Sequence, residues 1–294
     1  MPSSLPLSAL LSRPPAVILG THEVASAIAV RLRLNGRGVV LSHDPLPPVL
    51  RRGMAFHDAL WGDEATIGGV RAVAVDGLLD LVAATARAHT VAITRMGLAD
   101  LLPLGRFAVL VDARLHKYAA TPDLRPFASS SIGVGPGFTA DLDCDVAIET
   151  RPDRLGLLLT RGATEAPDGS PPLLGTHGED RFVRAAEAGI WRTAFPIGAR
   201  VFRDQVVGRL GRTAVRAPLD GILRGLVRDD SEVPEGAKLI EIDPRGRWQA
   251  RWSGLDDRGR VVAEAVGEAI ALLDRRASTR AAATPLPFSV RSPR

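Results

Sequence analysis

The sequence is poor in cysteine and aromatic residues and has no long apolar run, and each shortage argues against a class of protein. A single cysteine, Cys144, rules out an intramolecular disulfide framework and a cysteine-cluster metal site. Aromatic residues make up 4% of the 294 residues, and no dense Lys/Arg block with interleaved aromatics occurs, so no nucleic-acid partner is indicated. No apolar run approaches the roughly 20 residues that span a bilayer, so no membrane partner is indicated either.

Targeting signals and familiar catalytic motifs are also missing. The opening segment MPSSLPLSALLSRPP has no basic residue before its short apolar part. It is therefore a poor secretory signal, and a cytoplasmic location is expected. The six histidines show no H-x-H or H-x-x-x-H spacing, so we expect no metal site. No Walker loop, G-x-S-x-G elbow or paired-carboxylate motif is present, and whether the protein is an enzyme stays open.

The positive charge is carried almost entirely by arginine. The formal net charge is +4, and lysine occurs only at positions 117 and 238. Scattered arginines often form surface ion pairs. The planar guanidinium is nevertheless the better anion clamp, because its fork matches phosphate and carboxylate groups. The composition therefore suits an anionic small molecule as a ligand.

The first part of the chain alternates strand and helix patterns. AVIL ends at Gly20, VASAIAVRLRLNGRG has apolar residues at helical spacing, and VVLSHD follows as a second strand. The alternation continues to FAVLVDAR. Such βαβ units predict a Rossmann-like, doubly wound α/β domain with a parallel sheet over residues 14–126.

The alternation of strand and helix patterns ends after Pro126. Residues 127–179 read as a connecting region of strands and Gly-rich loops, and residues 180–246 as short β segments punctuated by Gly, Pro and Asp. Within the latter, GARVFRDQVVGRL and DSEVPEGAKLIEI align at an offset of 32 residues, which indicates a duplicated β unit. An amphipathic helix is predicted over residues 257–276, followed by a disordered tail over residues 277–294.

A degenerate phosphate loop follows the first predicted strand. In LGTHEVASAIAVRL, Gly20 meets the need for a turn glycine and Ala25 the need for a small packing residue, but His22 stands where a second glycine would approach a pyrophosphate. Thr21 and Glu23 complete this loop, and Asp44 lies at a plausible spacing for a ribose contact. The helix N-terminus could still hold one anion through its amides, and a plain βα turn is the alternative.

Two further segments place polar residues beside predicted strands. Arg51 and Arg52 are adjacent on a loop, where they suit an anionic ligand or form a solvated surface. The end of the last strand of the first domain is also polar, with Asp112, His116 and Lys117. Open α/β sheets bind ligands at such carboxyl ends.

The segment SIGVGPGFTADLD is the most unusual in the chain. Gly133, Gly135 and Gly137 alternate around Pro136, and such a loop can turn successive amides toward an anion. Phe138 and Thr139 follow. We expect a ligand-facing loop here, with a tight structural loop as the alternative.

The β-rich part resembles a biotinyl/lipoyl-like barrel domain through VRAPLDGIL and its two repeated turns. The modified lysine of such carriers lies at a hairpin tip, which here is Leu-Gly-Arg-Thr at residues 210–213. Lys238 lies in the other repeat. The resemblance therefore implies a carrier-like fold without covalent biotin or lipoate.

Over residues 14–273 the chain resembles the YqeB-type accessory proteins of selenium-dependent molybdenum hydroxylase systems. The motifs that carry the resemblance are GPGFTADLDCDVAIETRPDRLGLLL, GRLGRTAVRAPLDGILRGLVRDDSEVPEGAKLIEIDPRG and GRVVAEAVGEAIALL, with GTHEVASAIAVRL, RRGMAF and DARLHK upstream. The chain departs from the family pattern at His22 and Glu23.

The resemblance implies a maturation factor for a molybdenum-cofactor-dependent hydroxylase of the xanthine dehydrogenase type. The factor would bind molybdenum cofactor or a precursor, which is anionic through its phosphate, and would dock on the hydroxylase or its maturation machinery. Residues 20–23, Arg51, Arg52 and residues 133–139 would form the cradle. The alternatives are an NAD(P)-dependent oxidoreductase or other nucleotide-binding enzyme, a modified carrier, and a small phosphate- or sulfur-transfer enzyme.

Overall fold

The largest element is a nine-stranded mixed sheet. The structure, a computed structural model, describes residues 14–117, 120–167, 169 and 171–283. The central strands of the sheet run parallel, and an antiparallel strand closes each edge. In order across the sheet the strands are β10 (Leu158–Leu159), β9 (Val146–Ile148), β7 (Ala128–Val134), β6 (Phe107–Asp112), β1 (Ala16–Leu19), β2 (Val39–Ser42), β5 (Thr90–Thr94), β4 (Val70–Ala74) and β3 (Thr66–Ile67).

Helices cover both faces of this sheet. The runs AVIL and VVLS are buried along their whole length, as expected for parallel strands packed on two sides. The long helices α1 (Glu23–Leu34) and α4 (Asp257–Ala283) pack on one face and on each other. The shorter α2 (Leu78–Thr85) and α3 (Leu98–Leu101) cover the other face. The chain after the β-rich part thus returns to the large sheet.

The β-rich part forms two four-stranded antiparallel sheets over one apolar core. The indole of Trp191 is fully buried between them and donates a hydrogen bond to the Val227 carbonyl. One sheet contains β12 (Phe182–Arg184), β19 (Lys238–Asp243), β17 (Gly221–Leu226) and β14 (Arg200–Val201). The other contains β16 (Thr213–Arg216), β15 (Val206–Leu210), β13 (Gly189–Arg192) and β18 (Ser231–Val233). Two short strands, β8 (Thr139–Ala140) and β11 (Gly162–Ala163), pair separately.

The predicted fold class is wrong. The large sheet is mixed rather than parallel, with an antiparallel strand at each edge, and it recruits β7, β9 and β10 from beyond residue 126. The β-rich part is two separate sheets rather than a biotinyl/lipoyl-like barrel, and α4 belongs to the layer that covers the large sheet. Local alternation identified strands, but long-range contacts set their order and edges. The predicted domain boundaries stay a prediction, and residues 284–294 of the predicted tail lie outside the described residues.

Candidate functional site

His22 connects the segments that follow β1 and β6. Gly20 has a φ of +109°, and a Cβ placed there would lie 3.2 Å from the Ala113 carbonyl oxygen. His22 caps α1: its Nδ1 accepts a hydrogen bond from the Val24 amide at 3.2 Å, and its Nε2 donates to the Ala113 oxygen. Burial lowers the pKa of His22, so the ring is neutral and suited to this paired role. The His22 side chain therefore accepts the hydrogen bond of the Val24 amide, which a phosphate at this helix N-terminus would otherwise accept.

Glu23 and Arg51 begin a buried ionic network. Arg51 Nη1 lies 3.1 Å from Glu23 Oε1, and the same guanidinium forms a bidentate pair with Glu241 at 2.7 and 3.0 Å. Burial alone would raise the pKa of Glu23, but Arg51 and its neighbours lower it to about 2. The predicted loop residue Glu23 thus binds a protein cation rather than a ligand.

Glu241 is the centre of this network. Its carboxylate is fully buried and accepts from Arg51 and from Arg181, whose Nε lies 3.3 Å away. Arg224 Nε lies 3.5 Å from the same carboxylate. Glu241 lies on β19 of the β-rich part, whereas Arg51 lies in the segment that follows β2 of the large sheet. The network therefore joins the β-rich part to the large sheet.

Arg52 points away from Arg51. Its Nη1 pairs with Asp58 at 2.5 Å, and its Nε donates to the Leu226 carbonyl at 2.8 Å. The adjacent arginines are therefore split between two networks and do not form a joint anion clamp.

A pair of histidines meets at the carboxyl ends of β1 and β2. Thr21 Oγ1 lies 3.0 Å from His57 Nδ1 and 3.3 Å from His43 Nδ1. Burial lowers the pKa of both rings, and that of His57 falls to about 3. A hydroxyl carries one hydrogen, so it donates to one ring and accepts from the other. One ring then presents a bare Nε2 and the other an Nε2–H.

These histidines line a cavity of about 720 Å³, called here the histidine pocket. Its arginines already have carboxylate partners: Arg52 pairs with Asp58, and Arg228 lies 2.6 Å from Asp63. The Arg228 guanidinium also lies 4.9 Å from the Trp61 ring. The pocket is lined by His43, Pro45, Pro48, Val49, Arg52, His57, Trp61 and residues 227–232.

The polar residues after β6 mostly bind one another. Asp112 forms a bidentate pair with Arg114, and Asp44 lies 3.0 Å from His116 Nε2. Lys117 does not join this cluster and turns to a second cavity. The predicted set Asp112, His116 and Lys117 is thus divided, and Asp44 belongs with His116.

The second cavity, called here the lysine pocket, has a volume of about 430 Å³. Both lysines of the chain, Lys117 and Lys238, line it together with Arg258. Among the described residues, Lys117 and Arg258 have no carboxylate within 4.0 Å, and Lys238 has only Glu179, at 3.8 Å. Its other walls are Arg51, Leu115, Pro136, residues 149–152, Leu155, Glu165, Pro167, Gly169, Pro171, Pro172, Phe182, Asp257 and Val261.

The Gly-rich loop borders the lysine pocket through Pro136. Its glycines serve close packing: a Cβ on Gly133 would lie 2.2 Å from the Phe138 ring, and one on Gly135 would lie 2.6 Å from Leu115. Gly137 has a φ of +93° and accepts a bond from Thr121. The Thr139 amide donates to Asp143 at 2.8 Å. The loop shapes the pocket wall, and these contacts do not aim its amides at an anion.

Burial raises the pKa of the Cys144 thiol to about 12, so the thiol stays protonated at neutral pH. Within the part of the chain that the structure describes, no three His, Cys, Asp or Glu side chains are grouped to hold a metal ion. The described helices likewise include none with the length and apolar character needed to cross a bilayer.

Sequence reasoning missed several residues of both pockets. His43, Trp61 and Arg228 of the histidine pocket lie on three separate segments, and only the third of these is in the β-rich part. Arg258 of the lysine pocket lies at the start of α4 and follows no recognisable motif. For Lys238 the available signal in the sequence was that lysine is rare in this chain. In the structure both lysines line the same pocket.

Comparison with known proteins supports the resemblance to YqeB at the level of sequence. The chain is 33% identical over 263 residues to a protein of Escherichia coli (strain K12) named "Uncharacterized protein YqeB". The match covers 87% of this chain and 47% of that protein, so the chain spans about half the length of the curated relative it matches. No family model matches the chain.

Similarities to solved structures are remote. The apo structure of the ectoine utilization protein EutE (DoeB) from Ruegeria pomeroyi is 11% identical with a TM-score of 0.25, over 79% of this chain and 87% of that one. The succinylglutamate desuccinylase/aspartoacylase from Rhodobacter sphaeroides is 11% identical with a TM-score of 0.23, over 78% and 85%. Scores this low carry no functional argument.

Proposed function

We propose that the protein is an accessory, maturation protein for a molybdenum-cofactor-dependent hydroxylase and that it holds an anionic cofactor or precursor in the lysine pocket. The observation that carries this proposal is the convergence of Lys117, Lys238 and Arg258 on one cavity, where within the described part of the chain only Lys238 has a carboxylate within 4.0 Å, Glu179 at 3.8 Å. Cations left unpaired in a pocket are costly to desolvate, and an anionic ligand compensates that cost.

The shape of the pocket also suits such a ligand. A volume of about 430 Å³ lies within the range of roughly 300–1,000 Å³ typical of small-molecule sites. Leu115, Phe182 and Val261 supply apolar walls beside the cations. A ligand with a planar body and a phosphate would therefore find both kinds of partner.

The position of the pocket supports a docking role for the β-rich part. The lining residues come from loops that follow strands of the large sheet, from the strands Phe182–Arg184 and Lys238–Asp243, and from the start of α4. The hairpin of β15 and β16 turns at Gly211 and carries Arg209 and Arg212 but no lysine. With no attachment point, this part is better suited to contact a target enzyme than to carry a covalent group.

The test is anaerobic calorimetry of the purified full chain with molybdopterin, NAD and NADP as separate probes. Molybdopterin is expected to bind, and the double variant Lys117→Ala/Arg258→Met is expected to bind it at least about tenfold more weakly, because charge-assisted hydrogen bonds contribute roughly 1.5–3 kcal/mol each. Arg209→Ala, on the exposed hairpin, is the control and should bind normally.

Two results would contradict the proposal. Binding of NAD or NADP with no binding of molybdopterin would favour a nucleotide-dependent oxidoreductase instead. Equal binding of molybdopterin by the double variant and the native chain would remove the lysine pocket as its site. A native chain that also raises the activity of a co-expressed, cofactor-free hydroxylase would support the maturation role.

A further inference from the structure

Lys238 lies in an unusual environment within the lysine pocket. It begins β19, and its Nζ lies 3.4 Å from the centroid of the Phe182 ring. Its side chain is 26% exposed, and its nearest carboxylate, Glu179 Oε2, is 3.8 Å away. The amine therefore lies over an aromatic face, is open to the cavity, and among the described residues forms one ion pair, the long contact with Glu179.

Burial favours the neutral form of the Lys238 amine. Burial is the largest cause of the lowered pKa of Lys238, and Arg184 and Lys117 lower it further. Glu179 and Glu241 act in the opposite direction, and the pKa settles at about 8. Roughly a quarter of the amine is then unprotonated at pH 7.5, whereas an ordinary lysine is almost wholly charged. Desolvation of this kind activates lysine as a nucleophile.

We propose that Lys238 captures a carbonyl compound bearing an anionic group as a reversible imine. The proposal rests on the anion-binding role of the lysine pocket and not on which enzyme the protein serves. Lys117 and Arg258 line the same cavity and would hold the anionic group, while the Phe182 face and the nearby apolar walls would hold the body of the ligand.

The chemistry needs no oxidant or reductant. The lone pair of the neutral Lys238 Nζ attacks the carbonyl carbon, and a proton moves from nitrogen to the carbonyl oxygen to give a carbinolamine. That hydroxyl then takes a proton from solvent and leaves as water while the nitrogen lone pair forms the C=N bond, and the resulting protonated imine can return its N–H proton to solvent. One water molecule is released for each imine formed, and hydrolysis returns the free amine and the carbonyl compound.

The probe for this site is pyridoxal 5′-phosphate, followed by borohydride reduction and peptide mass spectrometry of the full chain. Because the chain has two lysines, the modified position is assigned directly, and Lys117 is the internal comparison. We expect labelling of Lys238 at least about tenfold faster than of Lys117, with a rate that rises with pH through about 8. Lys238→Arg should abolish the fast label.

Three companion measurements separate the parts of the proposal. Pyridoxal, which lacks the phosphate, should label Lys238 more slowly, and Lys117→Arg should retain the label because arginine preserves the charge. Pyridoxine 5′-phosphate, which lacks the aldehyde, should bind to both the native chain and Lys238→Arg in calorimetry. Thermal unfolding of each variant verifies that it is folded.

The outcomes are distinct. Equal labelling of the two lysines, or a rate at Lys238 that does not depend on pH near 8, would overturn the imine proposal. Binding of pyridoxine 5′-phosphate without preferential labelling would overturn the imine while leaving the anion site intact. Equal labelling of Lys238 by pyridoxal and its phosphate would overturn the role of Lys117 and Arg258 in orienting the ligand.

Discussion

The histidine pocket and the lysine pocket both lie where the β-rich part meets the large sheet, yet their charges are arranged in opposite ways. In the histidine pocket Arg52 and Arg228 each have a carboxylate within 2.6 Å, and the histidines are kept neutral by burial. In the lysine pocket Lys117 and Arg258 have no carboxylate within 4.0 Å among the described residues. The first arrangement serves the fold, and the second leaves positive charge available to a ligand.

The same contrast exists between two arginines of one pocket. Arg51 is bound by Glu241, Glu23 and, at 3.5 Å, Asp256. Arg258 is half-buried, and among the residues that the structure describes its guanidinium has one hydrogen-bond partner, the Thr150 carbonyl at 3.5 Å. Paired and unpaired arginines should respond differently to removal, so substitutions can test the comparison.

The largest effect is expected from Arg51→Met. The change leaves Glu241 buried without its bidentate partner and Glu23 without a cation at 3.1 Å. Breaking a buried pair costs roughly 3–5 kcal/mol, and we expect about 3 kcal/mol because Arg181 and Arg224 remain beside Glu241. Urea unfolding of the full chain, followed by circular dichroism, measures the free energy of unfolding.

The matched control for Arg51→Met is Arg125→Met. Arg125 pairs with Asp123 at 2.8 Å, but both side chains are about 40% exposed. Surface pairs contribute about 0–1 kcal/mol, so this variant should unfold almost as the native chain does. Similar losses in the two variants would mean that the buried network is not what joins the two parts of the molecule.

The next largest effect is the loss of folding stability at acid pH that His57 of the histidine pocket causes. The pKa of His57 is lowered in the folded chain to about 3, so the unfolded chain takes up a proton first as the pH falls below about 6.5. Stability is therefore full above that range and declines as the pH falls toward 3. This single ring accounts for about 2 kcal/mol of the loss between pH 7 and pH 5.

His57→Asn should flatten that decline. The free energy of unfolding, measured by urea titration at several pH values, should fall about 2 kcal/mol less between pH 7 and pH 5 than in the native chain. His89→Asn is the control, because His89 is exposed and asparagine accepts its positive φ of 52°. An unchanged slope for His57→Asn would show that His57 is not held neutral in the folded protein.

How much of this could be predicted from sequence depends on the range of each interaction. The strands AVIL and VVLS and the helix after Gly20 follow from local periodicity, and the structure has them at Ala16–Leu19, Val39–Ser42 and Glu23–Leu34. The strand order does not follow in this way, because short strands such as β9 and β10 are fixed by pairing with distant neighbours. The wrong fold class came from that long-range step.

The candidate site likewise combines features that local spacing predicts with contacts between distant residues that it does not predict. The loop around His22 was found from its spacing, but the spacing could not show that the ring itself bonds the Val24 amide and the Ala113 carbonyl. Arg51 was identified as an anion-binding candidate, but its partner Glu241 lies 190 residues away in the chain. Charge pairing decides which cations are available to a ligand, and that pairing is a property of the folded chain.

The smallest effect on stability, and the sharpest test of the comparison, is expected from Arg258→Met. Burial lowers the pKa of Arg258, and Glu23 offsets only part of that cost. Methionine keeps much of the aliphatic stem without the charge, so the free energy of unfolding should change by no more than about 0.5 kcal/mol. Calorimetry with pyridoxine 5′-phosphate should nevertheless show weaker binding, by about tenfold for one lost charge-assisted bond. A loss of stability as large as that of Arg51→Met would make Arg258 a structural cation. Unchanged binding would leave the unpaired charge without a ligand to explain it.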